Sequence, residues 1–214
     1  MVFVLKKMQI KEKTIAGKTM RLETGRVARQ SNGSVLVTYG ETTIHAAVNA
    51  AKEAREDIDF FPLQVEYREK HYAGGKIPGG FFKREARPSE HEIIASRLTD
   101  RPIRPLFPSD FFHETQVLIN VLSYDGSINP DILGTIGASA ALSISDIPWG
   151  GPVASVRIGR VDGHFVINPN KDELKNSDME VIVSGTSDSI LMVEGSADFI
   201  TEDDFISAVQ YSHE

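Results

Sequence analysis

The sequence predicts an α+β fold in which two main helices pack on mixed sheets. Strand-like runs in the first part of the chain are separated by short turns at Ala16-Gly17 and Gly40-Glu41. Two segments of helical character, residues 89–100 and 130–143, interrupt these runs, and strand-like runs resume after residue 153. Because strands and helices follow one another without regular βαβ alternation, we expect a mixed α+β arrangement.

The first half of the chain is read as strands and one amphipathic helix. Residues 8–24 predict an opening hairpin, residues 35–39 and 42–49 a second strand pair, and residues 60–72 one long strand. Ser89 and Glu92 form a capping-box pattern that predicts the start of a helix. That helix should end near Asp100, because Pro102 disfavours helical geometry in the residue before it.

The second half of the chain predicts the remaining strands and a buried helix. Residues 116–123 read as an apolar strand, and residues 130–143 as a buried helix rich in small side chains. Strand pairs are expected at 153–159 with 164–167 and at 179–184 with 190–194. Apolar residues at helical spacing after Glu202 predict a last helix, which has no C-terminal stop signal. We therefore expect residues 1–214 to form one domain, the N-terminal part of a longer chain.

Composition excludes several classes of protein. Of 214 residues, 41% are hydrophobic and 25% charged, which is typical of an ordinary globular protein. The chain has no cysteine, so disulfides and thiolate metal sites are excluded. The six histidines do not occur at metal-ligand spacing, and no metal site is expected. No apolar run reaches membrane length, so we expect a cytoplasmic protein that does not bind membranes.

Positive charge is concentrated in one window of an acidic chain. The window from Lys70 to Arg104, here called the basic strip, has eight Lys and Arg against four Asp and Glu, about +4. The chain as a whole carries −7, so the remainder carries −11. A local basic surface on an acidic protein indicates a polyanionic ligand such as nucleic acid. The cations are Lys70, Lys76, Lys83, Arg84, Arg87, Arg97, Arg101 and Arg104.

Two aromatic residues and two cations stand together in this strip, at Phe81-Phe82-Lys83-Arg84. Aromatic rings stack on the bases of a single strand, and neighbouring cations hold its phosphates. Adjacent side chains on extended backbone point to opposite sides, so at least one ring should be exposed. The alternative is a glycine loop with two core phenylalanines and a solvated basic face.

Three further arginines follow at helical spacing. Arg97, Arg101 and Arg104 are four and three residues apart and can line one side of the helix end. We expect them to face the nucleic acid or a neighbouring domain. The alternative is a structural role in ion pairs with Asp100, Glu90 or the acidic C-terminal segment.

A long stretch of the sequence resembles a known family. The segments GGFFKREARPSEHEIIASRLTDRPIRPLFP, NPDILGTIGASAALSISDIPWGGPVASVRIG and NPNKDELKNSDMEVIVSGTSDSILMVEG are similar to the first of two RNase PH-like domains in the bacterial polynucleotide phosphorylase family. The resemblance runs from about Ile10 to the end. It implies the RNase PH-type β-α-β-α fold and a full-length enzyme that degrades RNA from its 3′ end with phosphate, releasing nucleoside diphosphates.

The resemblance also implies an assembly and roles for the strip. Three copies of the full-length chain would form a ring of six domains around an RNA channel. Phe81 and Phe82 would narrow that channel while Lys83 and Arg84 grip phosphates, with Lys83 replacing the family's usual arginine. Mg²⁺ and inorganic phosphate would bind in the second, catalytic domain, outside this chain. Other RNA-degradation proteins are further implied partners. The implied RNA-binding set is Phe81, Phe82, Lys83, Arg84, Arg87, Arg97, Arg101 and Arg104.

At the positions of the catalytic pockets, the residues of this chain differ from those of the family's catalytic copy of the domain. By resemblance, the two metal-binding aspartates fall on Leu174 and Glu180, and the phosphate-binding run on Asn129-Pro130-Asp131. Proline removes an amide donor, and an aspartate there would repel phosphate. These departures predict a non-catalytic domain. Two alternatives stay open: a self-sufficient phosphorolytic nuclease and a purely structural RNA-binding subunit.

Overall fold

The computed structural model describes residues 7–55, 58–81, 83–85 and 87–214. Over these residues, ten strands and four helices follow one another, with short 3₁₀ turns at His71–Gly74 and Arg104–Leu106. The fold is α+β, as predicted. The elements are β1 Gln9–Ile15, β2 Lys18–Thr24, β3 Gly33–Tyr39, β4 Thr42–Ala54, β5 Leu63–Glu69, α1 Glu90–Ile103, β6 His113–Ser123, α2 Asp131–Ser143, β7 Ala154–Val161, β8 His164–Ile167, α3 Lys171–Lys175, β9 Met179–Gly185, β10 Ile190–Ala197 and α4 Glu202–His213.

The first six strands form one mixed sheet in the order β1-β2-β3-β4-β6-β5. Neighbouring strands are antiparallel except β5, which runs parallel to β6. β5 therefore lies at an edge of the sheet, and the chain leaves this edge to form the basic strip. The strand predicted over residues 60–72 is shorter than expected, because the backbone turns into a 3₁₀ helix at His71.

Helix α2 packs closely on β3 and β4 because the facing residue is a glycine. A Cβ built on Gly137 would lie 2.7 Å from Ile44 Cδ1 and 2.9 Å from Ala46 Cβ. Nearly every residue of α2 is buried, as its small apolar side chains predict. Helix α1 contacts α2 through Thr99 and Thr135, whose hydroxyls lie 3.2 Å apart in the core.

Helix α1 begins where the sequence predicts and ends later. Ser89 accepts the Glu92 backbone N–H, and Glu92 accepts that of Ser89, so the predicted capping box is formed. The expected end near Asp100 is wrong, because the helix continues through Pro102 to Ile103. Proline at this position removes one N–H donor, but the following turn is retained: the backbone N–H of Arg104 donates to the carbonyl of Asp100.

The last four strands form a second, antiparallel sheet in the order β10-β9-β7-β8. Alternate residues of β9 serve two different cores. Ile182 belongs to the large core that contains α1 and α2, whereas Val181 and Val183 pack with Ala208 of α4. The short helix α3 was not predicted from the sequence; Asn170 caps it by accepting two backbone N–H groups. No helix in the described part of the chain is long and apolar enough to cross a bilayer.

Candidate nucleic-acid interface

The basic loop, residues 74–88, leaves the edge of the first sheet through a tight turn. Gly75 adopts a left-handed conformation with φ of 68°, and its N–H donates to the Tyr72 carbonyl at 3.0 Å. The turn is fixed to the sheet because the Tyr124 N–H donates to the Ala73 carbonyl at 2.9 Å. The loop thus starts from a defined point at the end of β5.

The tip of the basic loop presents an aromatic ring and cations to solvent. The Phe81 side chain is 94% exposed, as expected for at least one ring of the pair. Lys83, Arg84 and Arg87 are exposed as well. Phe82, the second ring of the predicted pair, lies outside the described residues. A ring and three cations at one exposed loop provide the groups that a single-stranded nucleic acid needs for stacking and phosphate binding.

The helix arginines fall into two groups. Arg97 and Arg101 are exposed and line one cleft of about 190 Å³ with Ser96 and Asp100. Arg101 also forms an ion pair with Glu194 in β10, part of the acidic C-terminal segment. The structure therefore brings the first two arginines together on one surface of α1.

Arg104 is held within the protein by several acceptors. Its guanidinium binds both carboxylate oxygens of Asp100 at 2.7 and 2.6 Å. It also donates to the carbonyls of Phe61 and Leu63, each at 3.1 Å, and lies 5.7 Å from the centre of the Phe61 ring. The ion pair with Asp100 is one of the structural alternatives that the sequence left open for these arginines.

The resemblance assigned a phosphate-binding and a metal-binding position to this chain, and residues from both line a single cleft of about 350 Å³. Asn129 and Asp131, at the start of α2, face Glu180 of β9 across this space. Between the carboxylates lies Arg157 of β7, which is 5% exposed. Its Nη2 donates to Asp131 at 2.5 Å, and its Nη1 pairs with Glu180. Leu174 does not line the cleft. We call Asp131, Arg157 and the partly exposed Glu180 the buried ion-pair cluster, after its two buried members.

The buried ion-pair cluster does not suit a metal ion or a phosphate. A divalent cation needs free carboxylate oxygens, whereas one oxygen of Asp131 and one of Glu180 pair with Arg157, and the second oxygen of Asp131 accepts the Ile132 N–H. Phosphate would meet the buried carboxylate of Asp131, which repels it. Within the described residues, no three histidine or acidic side chains are placed to hold a metal.

A hydrogen-bonded chain of titratable side chains lies beside this cleft. His91 Nε2 lies 3.1 Å from Glu69 Oε1, which also accepts the Tyr67 hydroxyl at 2.9 Å. The hydrogen bond to Glu69 raises the pKa of His91, although partial burial acts in the opposite direction. Burial opposes ionisation of Glu69, but the hydrogen bonds from His91 and Tyr67 outweigh it and lower the pKa of Glu69. Burial, followed by the Glu69 charge, raises the pKa of Tyr67.

Sequence reasoning missed two charged residues of this region. Arg157 is a single cation in the largely apolar run 153–159. A charge buried with such a strand needs an oppositely charged partner, so its position in the sequence could have predicted an ion pair. Glu85 counted only as one of four carboxylates in the basic strip. Its carboxylate in fact binds Lys70 Nζ at 2.8 Å and the backbone N–H of His71 at 3.1 Å. Nothing in its spacing indicated these contacts.

Family comparison covers nearly the whole described fold. Residues 16–148 match the model of the 3′ exoribonuclease family, domain 1, and residues 151–214 match that of domain 2 of the same family. Among solved structures, an Archaeoglobus fulgidus exosome with RNA bound to the active site superposes with a TM-score of 0.71 at 17% identity. That match covers 99% of this chain and 85% of the other, and it shows the RNase PH-type fold.

Curated relatives are much more similar in sequence. A polyribonucleotide nucleotidyltransferase of Thermomicrobium roseum is 60% identical over 200 residues, which is 94% of this chain and 25% of that protein. The enzyme of the same name from Pelagibacter ubique is 53% identical over 97% of this chain and 30% of its own length. The chain thus spans less than a third of the length of these relatives. The resemblance seen in the sequence is confirmed, and the chain belongs to the 3′ exoribonuclease (RNase PH) family.

Proposed function

We propose that this chain is the N-terminal, RNA-binding and non-catalytic part of a phosphate-dependent 3′-to-5′ exoribonuclease. In that reaction inorganic phosphate attacks the last phosphodiester of the RNA. The products are a nucleoside diphosphate and an RNA shortened by one nucleotide with a free 3′ hydroxyl. The observation that carries the proposal is the exposed tip of the basic loop, where Phe81 lies beside Lys83 and Arg84.

The tip suits a single strand better than a duplex. An exposed ring can stack on a base only where the base is not already stacked in a helix. Each stacked base contributes roughly 1–3 kcal/mol, and each phosphate contact adds a salt-dependent contribution. The loop therefore has the chemistry to hold a strand that passes it, independently of base sequence.

The buried ion-pair cluster supports a non-catalytic role. Phosphorolysis needs a site for the attacking anion and positive charge near the transferred phosphoryl group. Here Asp131 occupies the position expected for the anion, and the Arg157 guanidinium is bound to Asp131 and Glu180. We infer that phosphate and Mg²⁺ bind in a further domain of the full-length enzyme.

The proposal extends to the assembly of the full-length protein. We infer a homotrimer of full-length chains that encloses an RNA channel in the cytoplasm, with the basic loop at its constriction. Other RNA-degradation proteins are further candidate partners. The curated relatives, which carry the name polyribonucleotide nucleotidyltransferase and are three to four times longer, support a longer full-length enzyme of which this chain is one part.

RNA titration at several salt concentrations tests the proposal in the full-length protein that the gene encodes. Phe81→Ala or Phe82→Ala should weaken binding of single-stranded RNA about 5- to 100-fold with little change in salt slope. Lys83→Ala with Arg84→Ala should reduce the salt slope by up to about two phosphate contacts.

Matched controls lie elsewhere on the chain. Phe199→Ala removes a fully exposed ring, and the pair Lys11→Ala and Lys13→Ala removes two exposed cations of β1. Neither control should change RNA binding as the tip variants do. Equal effects of tip and control variants would show that the loop only packs and that the RNA path lies elsewhere.

A further inference from the structure

Toward the C-terminal end of β5, the backbone donors on its outer edge are satisfied by side chains rather than by another strand. β5 pairs with β6 on one side only, so alternate N–H groups point away from the sheet. The N–H of Tyr67 donates to Ser96 Oγ at 3.0 Å, and that of Glu69 donates to Glu92 Oε1 at 2.9 Å. The next in this series, the N–H of His71, donates to Glu85 Oε1 at 3.1 Å.

The first two acceptors are fixed by helix α1. Ser96 and Glu92 are one helical turn apart and share a face, and the Ser96 hydroxyl donates to the Glu92 carbonyl at 2.9 Å. The second carboxylate oxygen of Glu92 accepts the N–H of Ser89 at 2.6 Å within the capping box. Both acceptors are therefore held in place by the helix itself.

The third acceptor comes from the basic loop, and it closes that loop. Glu85 binds the His71 N–H with one oxygen and Lys70 Nζ, 15 residues earlier, with the other at 2.8 Å. The two ends of the segment 70–85 are thus tied together, with Phe81, Lys83 and Arg84 between them. Glycine pairs at 74–75 and 79–80 give this segment little conformational preference of its own.

A carboxylate next to Arg84 works against a polyanionic ligand if only charge is considered. Lys70 offsets this charge, and its hydrogen bond, together with that of the His71 N–H, lowers the pKa of Glu85. The acid is therefore ionised at neutral pH and held at the base of the loop by two donors. The hydrogen bonds of Glu85 with Lys70 and His71 favour a structural role, which compensates for its unfavourable charge near the ligand.

We propose that Glu85 is a positioning residue for RNA binding, which holds the loop tip in place by tying residue 85 to Lys70 and His71. This inference rests on the proposed RNA-binding function of the loop. The predicted effect of removing Glu85 on RNA affinity is opposite to the effect expected from its charge alone. Removing the negative charge should strengthen RNA binding if charge alone matters, whereas loss of the tie should weaken it.

Glu85→Gln and Glu85→Ala in the full-length protein separate the two possibilities. We expect single-stranded RNA to bind roughly 3- to 10-fold more weakly at every salt concentration, the effect of losing one charge-assisted hydrogen bond. The salt slope should not change, because no phosphate contact is removed. Hydrogen exchange at the His71 amide and at residues 83–85 should become faster, while exchange in α2 stays the same.

Glu90→Gln is the matched control, because it removes an equal charge from the exposed start of α1 within the same strip. It should leave RNA binding unchanged or slightly tighter. Equal or tighter binding by the Glu85 variants, in a protein where Lys83→Ala with Arg84→Ala weakens binding, would overturn the positioning role alone. No effect from any of these variants would overturn both this inference and the RNA-binding function on which it rests.

Discussion

Arginines at similar spacing near the end of α1 have different surroundings, and those surroundings predict different effects of removing each one. Arg104 binds Asp100 with two nitrogens and donates to two main-chain carbonyls. Arg97 is exposed on the cleft of α1. Spacing alone placed both on one side of the helix end. The partners of each guanidinium decide what its removal does.

Replacing Arg104 with alanine should destabilise the fold, whereas the same change at Arg97 should not. Loss of the charged hydrogen bonds of Arg104 should lower the free energy of unfolding by about 1–3 kcal/mol. Arg97→Ala should change it by less than about 0.5 kcal/mol. Urea unfolding of both variants measures the difference. Equal stabilities would contradict the structural role of Arg104.

The His91–Glu69 pair should make stability depend on pH. Because the folded-state pKa of His91 is raised, its contribution is fully present below the ordinary histidine value, about 6.5, and is lost as pH rises through the folded-state pKa. Glu69 has a lowered pKa, so its contribution is present above the ordinary glutamate value and is lost as pH falls through the folded-state value. The pair should therefore stabilise the fold most at pH values between the ordinary pKa of glutamate and that of histidine.

Unfolding of the wild type and of His91→Gln at about pH 6 and about pH 9 tests this dependence. The stability difference between them should shrink at the higher pH by roughly 0.5 kcal/mol, the scale of a partly exposed ion pair. His164→Gln, at an exposed position of β8, is the control. A difference that is constant over this range would contradict the assigned protonation states.

At the scale of elements, close packing of α2 on the first sheet depends on Gly137. A methyl group there would approach Ile44 and Ala46 within 3.0 Å, so either the helix or the sheet must move. Gly137→Ala should lower the free energy of unfolding by about 1–3 kcal/mol despite the better helix propensity of alanine. Gly79→Ala, where no atom lies within 4 Å, should leave stability nearly unchanged. Thermal unfolding of both variants gives the comparison, and a Gly137 variant as stable as the wild type would contradict it.

The sequence predicted most elements because local signals and tertiary structure agree over them. Alternation of apolar and polar residues predicted the hairpins, the capping box predicted the start of α1, and the run of small residues predicted α2. The predicted end of α1 was wrong, because core packing of Ile103, which is fully buried, outweighs the local conformational preference set by Pro102. The contacts of Glu85 and Arg157 could not be predicted, because they join residues 15 and 26 positions apart through the tertiary fold.

At the scale of the whole molecule, the buried ion-pair cluster joins α2 to the second sheet. Arg157→Met should lower the free energy of unfolding by about 3–5 kcal/mol, because it leaves the buried carboxylate of Asp131 without its partner. Asp131→Asn should cost less, because Arg157 keeps its ion pair with Glu180. The double variant should lose less than the sum of the two, by about 1–3 kcal/mol. Denaturant unfolding of the four proteins measures this coupling, and simple additivity would contradict it.

We infer that this chain binds RNA without catalysing phosphorolysis. The direct measurement is release of labelled ADP when the purified 214-residue chain is incubated with labelled poly(A), inorganic phosphate and Mg²⁺. We expect no ADP, because Arg157 is paired with Asp131 and Glu180 in the cleft and the Asp131 carboxylate repels the attacking phosphate. Phosphate-dependent ADP release that persists through repeated purification would contradict the claim and favour a self-sufficient phosphorolytic nuclease.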